Sequence, residues 1–161
     1  MNSSSHVEDM VSGLKTFLTT NLGTYLQAVT TAKGDSVTLS APDSDDYVLG
    51  SINLLEEGRD DFPVVFLVPV GEVYQPLTAS TDLIRATIAI WLVHGGYAEA
   101  TLYKQIWRYG AEIRNVLRDC PTWGGTVEIS QVKEIAYFPL VLGEEELQAV
   151  RVTVEAEKEL S

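Results

Sequence analysis

Two histidines and one cysteine are all that this 161-residue sequence offers among the softer metal ligands and nucleophiles. A lone Cys120 rules out an intrachain disulfide and leaves no cysteine framework for zinc. Basic residues are also scarce. Eleven Lys and Arg stand against 23 Asp and Glu, a formal net charge of −12 with both histidines neutral. That balance opposes non-specific attraction to nucleic-acid phosphates or to anionic lipid. Long hydrophobic runs are missing too: the longest apolar stretches, 62–70 and 86–93, fall far short of the roughly 18 residues of a membrane span. Residues 1–6 carry no basic residue ahead of an apolar core, so the start has no look of a secretory signal. The expectation is a protein of a reducing cytoplasm with a flexible stretch at 1–6. What is abundant is apolar surface: 45% of residues are hydrophobic, too many for a disordered acidic tail. The length suits one domain over 1–161.

The apolar pattern divides the chain into elements. Val7, Met10, Val11, Leu14, Phe17, Leu18, Leu22, Tyr25, Leu26 and Val29 recur at three- and four-residue steps, one face of a long helix over 7–29. Ser5 and Glu8 have capping-box spacing at its start; Gly13 and Gly23 lie inside it, and Gly23 is a candidate for a bend or an early end. A polar connection follows over 30–46, then a short strand at 47–52 and a valine-rich strand at 62–70. Residues 71–80, with Pro76, read as a long loop of functional length. The strongest strand covers 83–93: Ile84, Ala86, Ile88, Ile90 and Leu92 share one face and a largely apolar set shares the other, which places it centrally in a sheet. A second helix spans 98–118 and ends before Pro121. A strand over 126–138 changes phase at Val132, which predicts a bulge near Ser130 and Gln131. An acidic turn at 142–146 leads into a last strand over 149–157, with Val150, Val152, Val154 and Ala156 inward and its other face wet. This order predicts an α+β fold, a mainly antiparallel sheet with two principal helices packed on one face and extended loops.

No catalytic signature emerges. His6 and His94 are too few for a zinc site or a facial triad. Asp43, Asp45 and Asp46 fail EF-hand spacing, since Val48 stands where glycine is needed and Leu54 where glutamate is needed; they read as a solvated acidic loop. Cys120 sits beside Asp119, whose charge opposes thiolate formation. Gly95 and Gly96 precede a helix without P-loop or dinucleotide spacing. Trp91, Trp107 and Trp123 lack the basic track of a nucleic-acid platform. The expectation is a non-enzyme without cofactor or metal.

The helix over 7–29, the strand opening FPVVFLVPVG (62–71), the strand TDLIRATIAIWLV (81–93), the helix TLYKQIWRYGAEIRNVL (101–117) and the closing AVRVTVEAE (149–157) together resemble the tail terminator, or tail completion, proteins of long-tailed bacteriophages. The resemblance covers nearly the whole chain through element order, size and apolar pattern. It implies a virion protein of the tail neck that forms a closed homo-oligomeric ring, typically a hexamer. Such a ring ends polymerisation of the tail tube and offers the head a docking surface. Its implied partners are the tail tube protein and a head-tail joining or neck protein. Double-stranded DNA passes through the lumen without specific binding, and no membrane is involved. The family has no catalytic residues to carry over. Its contacts come from strand edges and loops, here 35–46 with Asp43, Asp45 and Asp46, 71–80 with Tyr74, Gln75 and Pro76, and 143–146.

An acidic bore would repel phosphate and let DNA slide, which makes Glu144, Glu145, Glu146, Glu155 and Glu157 the candidate lumen-facing acids. The same acids also read as plain solubilising charge. The alternatives are another neck component, a minor tail subunit, or a bacterial small-ligand-binding or enzymatic α+β domain with a pocket near Trp91, His94 and Tyr97.

Overall fold

A computed structural model describes residues 6–50 and 61–160. The Ser5 half of the expected cap and the far end of the strand expected at 47–52 lie outside the described residues. The elements run α1 (His6–Lys33), β1 (Tyr47–Leu49), β2 (Val64–Pro76), β3 (Asp82–His94), α2 (Glu99–Asp119), β4 (Ile129–Leu142) and β5 (Glu145–Leu160). The strands form a single sheet in the order β1-β2-β3-β5-β4. Only the short β1–β2 pairing is parallel; the other three ladders are antiparallel. The class is α+β, with two principal helices on one face of a mixed, mainly antiparallel sheet.

The alternation along β3 explains its central place. Ile84, Ala86, Ile88, Ile90 and Leu92 are fully buried beneath the helices, together with Val150, Val152, Val154 and Ala156 of β5. Met10, Leu14, Leu18 and Leu22 of α1 and Ile106, Tyr109, Ile113 and Val116 of α2 form the other half of this core. The opposite face has its own smaller cluster of Val64, Phe66, Val93, Leu147 and Ala149. Two-sided burial is confined to that end of the sheet. Elsewhere the face away from the helices is open.

Four boundaries depart from the sequence reading. Residues 71–76 are not loop: β2 continues to Pro76, paired with β3 from Gly71↔Thr87 to Pro76↔Asp82. The regular alternation of β3 supplies the ladder, and a register shift between Pro69 and Gly71 absorbs the irregularity. Only 77–81 turns, closed by Leu77 N–H donating to the Thr81 carbonyl at 2.9 Å. The fourth strand begins at Ile129 rather than 126, because Trp123–Gly125 forms a 3-10 turn and Val127 is buried among core residues. Its bulge falls between Val132 and Glu134, a little beyond the expected place. The acidic turn shrinks to Gly143 and Glu144, with Gly143 at a φ of 63°. Such tight hairpin turns need positive φ, which glycine adopts without strain. Finally, α1 passes through Gly23 as one helix and reaches Lys33.

Candidate functional site

Side chains of α2 hold the connection between α1 and β1 in place. Gln105 Nε2 donates to the Thr38 carbonyl at 3.0 Å, and the Tyr109 hydroxyl donates to the Ser40 carbonyl at 2.8 Å. The Arg108 guanidinium grips the Asp35 carboxylate with both terminal nitrogens, one of them at 3.0 Å. That partner holds the Asp35 carboxyl well below the usual range. The connection then closes on a 3-10 turn at Ser44–Asp46. Asp43 accepts from Asp45 N–H at 2.9 Å, and Asp46 accepts from Asp43 N–H at 3.0 Å. The acidic stretch expected as a contact loop therefore shapes its own turn.

The loop expected at 71–80 becomes the outer limb of β2. β1 pairs only with Val65, Phe66 and Leu67, so no strand covers the outer edge of β2 from Val68 onward among the described residues. From Pro69 to Pro76 every residue is exposed. Val70 and Val73 are 65% and 61% accessible, and Tyr74 and Leu77 are about half exposed. Tyr74 donates a hydrogen bond of 3.0 Å to Glu72; Gln75 and Pro76 close the limb. An uncovered strand edge with apolar side chains on it is a template for another chain.

The five candidate lumen acids do not form one patch. Glu145 and Glu157 are 12 positions apart on β5, about 40 Å at strand rise. Glu155 and Glu157 flank Arg85 of β3, at 3.5 and 2.9 Å, so they form one locally paired group. Glu144, Glu145 and Glu146 are exposed at the β4–β5 hairpin tip and form no salt bridge with a described residue. Next to them Val141 is the most exposed large apolar side chain of the described residues.

The pocket imagined near Trp91, His94 and Tyr97 is not assembled. Trp91 and His94 differ in parity on β3 and so face opposite sides of the sheet. Trp91 stands on the face away from the helices, packed on its smaller cluster and against Phe138, their ring centroids 5.1 Å apart, with the Arg151 guanidinium over both rings at 5.5 and 5.1 Å. Arg151 also pairs with Glu134. His94 is only 2% exposed, lies beneath Tyr97 and Tyr109, and neither ring nitrogen reaches a hydrogen-bond partner. Burial pushes it down to about 4, opposed only in part by the neighbouring Gln105 side chain. It is a neutral core residue. No group of three or more His, Cys, Asp or Glu among the described residues is placed to share a metal ion, and no described helix is long and apolar enough to cross a membrane.

One surface escaped the sequence reading. A cleft of about 390 Å³ on the outside of the helix layer is lined by Val29 and Lys33 of α1 and by Lys104, Trp107, Arg108 and Glu112 of α2. Trp107 is 52% exposed and stacks on Tyr103, centroids 5.9 Å apart and planes 16° from parallel. Trp107 lies off the buried stripe of Leu102, Ile106, Tyr109 and Ile113, and that misfit was its visible signal. Lys33 and Lys104 are brought together only by the antiparallel packing of the helices.

The fold and these surfaces define a small α+β protein whose exposed features are edges, hairpin tips and a shallow helix-face cleft. The chain matches no known protein-family model, and no curated protein sequence is similar to it.

Proposed function

We propose that this chain is the tail-terminator subunit of a long-tailed phage or of a prophage-derived particle. In this role it self-associates into a ring at the head-proximal end of the tail tube, stops tube growth and presents a docking surface to a neck protein. The outer limb of β2 carries the reading. Among the described residues no strand covers its edge from Val68 to Pro76, and the exposed side chains there and just beyond include Val70, Val73, Tyr74 and Leu77. A monomer gains nothing from displaying such an edge, whereas a subunit that must be met by another polypeptide uses it for backbone pairing and apolar contact. The sheet's other outer strand, β4, ends in an acidic hairpin tip, so the two sides of the subunit differ. Unlike surfaces meeting head to tail close into rings when the rotation permits. The net charge of −12 is compatible with a lumen that does not attract phosphate, provided an acidic face lines it.

The test is assembly. Purified protein examined by negative-stain electron microscopy and native mass spectrometry is expected to form annular particles of fixed subunit number. Added to a polymerising tail tube protein from the same particle, it is expected to cap the tubes. A strictly monomeric protein that leaves tube length unchanged would overturn the proposal.

A further inference from the structure

The charges of this protein are not evenly spread. The two helices carry six of the 11 basic residues but only five of the 23 acidic ones. They are therefore close to neutral, at a formal +1, and all the excess negative charge belongs to the rest of the chain. A ring of identical subunits at −12 each faces strong mutual repulsion unless opposite charges meet at the seams.

Two surfaces on the subunit complement one another. The helix-face cleft offers two lysines, Lys33 and Lys104, neither of which forms a salt bridge with a described residue, beside the half-exposed Trp107 and the apolar Val29. Arg108 is already occupied by Asp35, and Glu112 on the rim accepts from Asn115 at 3.3 Å. The β4–β5 hairpin tip offers the converse, with Glu144, Glu145 and Glu146 beside the highly exposed Val141. Both surfaces combine an apolar element with charge that forms no salt bridge to a described residue, although Lys104 also acts on Asp35 at longer range, and the signs are opposite. Their positions also differ: the tip is at the end of an edge strand and the cleft is on the helix layer.

We infer that the occupant of the α1–α2 cleft is the β4–β5 hairpin tip of a second copy of this chain, with Val141 against Trp107 and the glutamates against Lys33 and Lys104. The contact is heterologous, so each subunit gives its tip to one neighbour and its cleft to the other, as a ring seam requires. Aromatic residues at the centre of such contacts carry a disproportionate share of binding, while the charges set register and reject wrong pairings. Glu144, Glu145 and Glu146 accordingly belong to the seam rather than to the bore. This inference rests on the ring reading above and specifies which surfaces close the ring.

Charge exchange tests it. A Lys33→Glu/Lys104→Glu variant and a Glu144→Lys/Glu145→Lys/Glu146→Lys variant are both expected to fold, as circular dichroism will report, because all five residues are exposed. Each alone is expected to lose the oligomer seen by native mass spectrometry and sedimentation. Mixed one to one they are expected to reassemble into alternating particles, since the tip of each then fits the cleft of the other. Trp107→Ala is expected to weaken assembly without changing its salt dependence. If wild-type protein forms rings and both charge variants do so equally well, the seam is elsewhere and the ring reading stands. Loss of assembly in both variants without rescue on mixing also overturns the seam. Wild-type protein that is monomeric and does not cap tubes removes the ring reading, and the seam with it.

Discussion

Gly110 of α2 approaches Val150 of β5 so closely that a methyl group at position 110 would lie 2.8 Å from the valine Cγ2. Helix and sheet meet backbone to side chain at this point. Gly110→Ala gains about 1 kcal/mol of helix propensity but forces the core apart, at roughly 1–3 kcal/mol. The net expectation is a lower urea midpoint with an unchanged slope. An increase in midpoint would mean that Val150 can move aside without loss.

His94 predicts an acid-dependent stability. Folded, it titrates near 4; unfolded, it returns to its ordinary value of 6.5. The unfolded chain therefore binds the extra proton first. The contribution of the neutral ring is complete above pH 6.5 and is lost as pH falls towards 4, with about 3 kcal/mol at stake. His94→Leu keeps the ring site apolar and removes the titration. Unfolding free energies at pH 5 and 7.5 are expected to differ less in that variant than in the wild type; equal differences would refute the assignment.

The α1–β1 connection is expected to loosen in steps. Tyr109→Phe removes a hydrogen bond to the Ser40 carbonyl and is expected to cost about 1 kcal/mol. Asp35→Asn breaks the Arg108 clamp, and the effect is expected mainly in faster amide exchange or proteolysis over 34–43 rather than in global stability, because the Asp35 side is exposed. The depressed Asp35 pKa means that the clamp holds above the ordinary carboxyl value and is lost only as pH falls through the lower folded value. At pH 4 the connection is therefore still protected.

On the β2 limb, Val73→Asp is expected to leave the unfolding free energy within about 0.5 kcal/mol of wild type, since the side chain is largely in water already. On the proposed tail-terminator reading, docking to a tube or neck partner is expected to fall sharply in a pull-down with either protein. An unchanged pull-down would place the docking surface elsewhere.

The parts of the fold written in local pattern were legible: the alternation of Ile84 to Leu92, the stripe of Leu102 to Val116, and the closing alternation of β5. The limb at 71–76 was not, because Gly71, Glu72, Gln75 and Pro76 have weak strand preference and their pairing is imposed by β3. Among the candidate interaction residues, Tyr74, Gln75 and Pro76 were expected in a loop and lie instead in a paired strand. Asp43 and Asp46 do lie at the surface, and nothing in the sequence signalled that they also cap a turn. The pairing of Glu155 and Glu157 with Arg85 was hidden, since it depends on β3 lying beside β5. The cleft joining Lys33 to Lys104 depends likewise on helix packing that no local pattern encodes.

The strand order has a consequence for how this molecule acquires its shape. β5 is threaded between β3 and β4, pairing His94 with Gln148 at one end of its ladder with β3 and Asp82 with Leu160 at the other. Until those closing residues arrive, β3 has a bare inner margin and β4 has nothing to zip onto. Contacts this distant along the chain form slowly. A nascent chain halted before β5 therefore displays a sticky half-sheet to its neighbours, and shortening that strand would cost the molecule two strands rather than one.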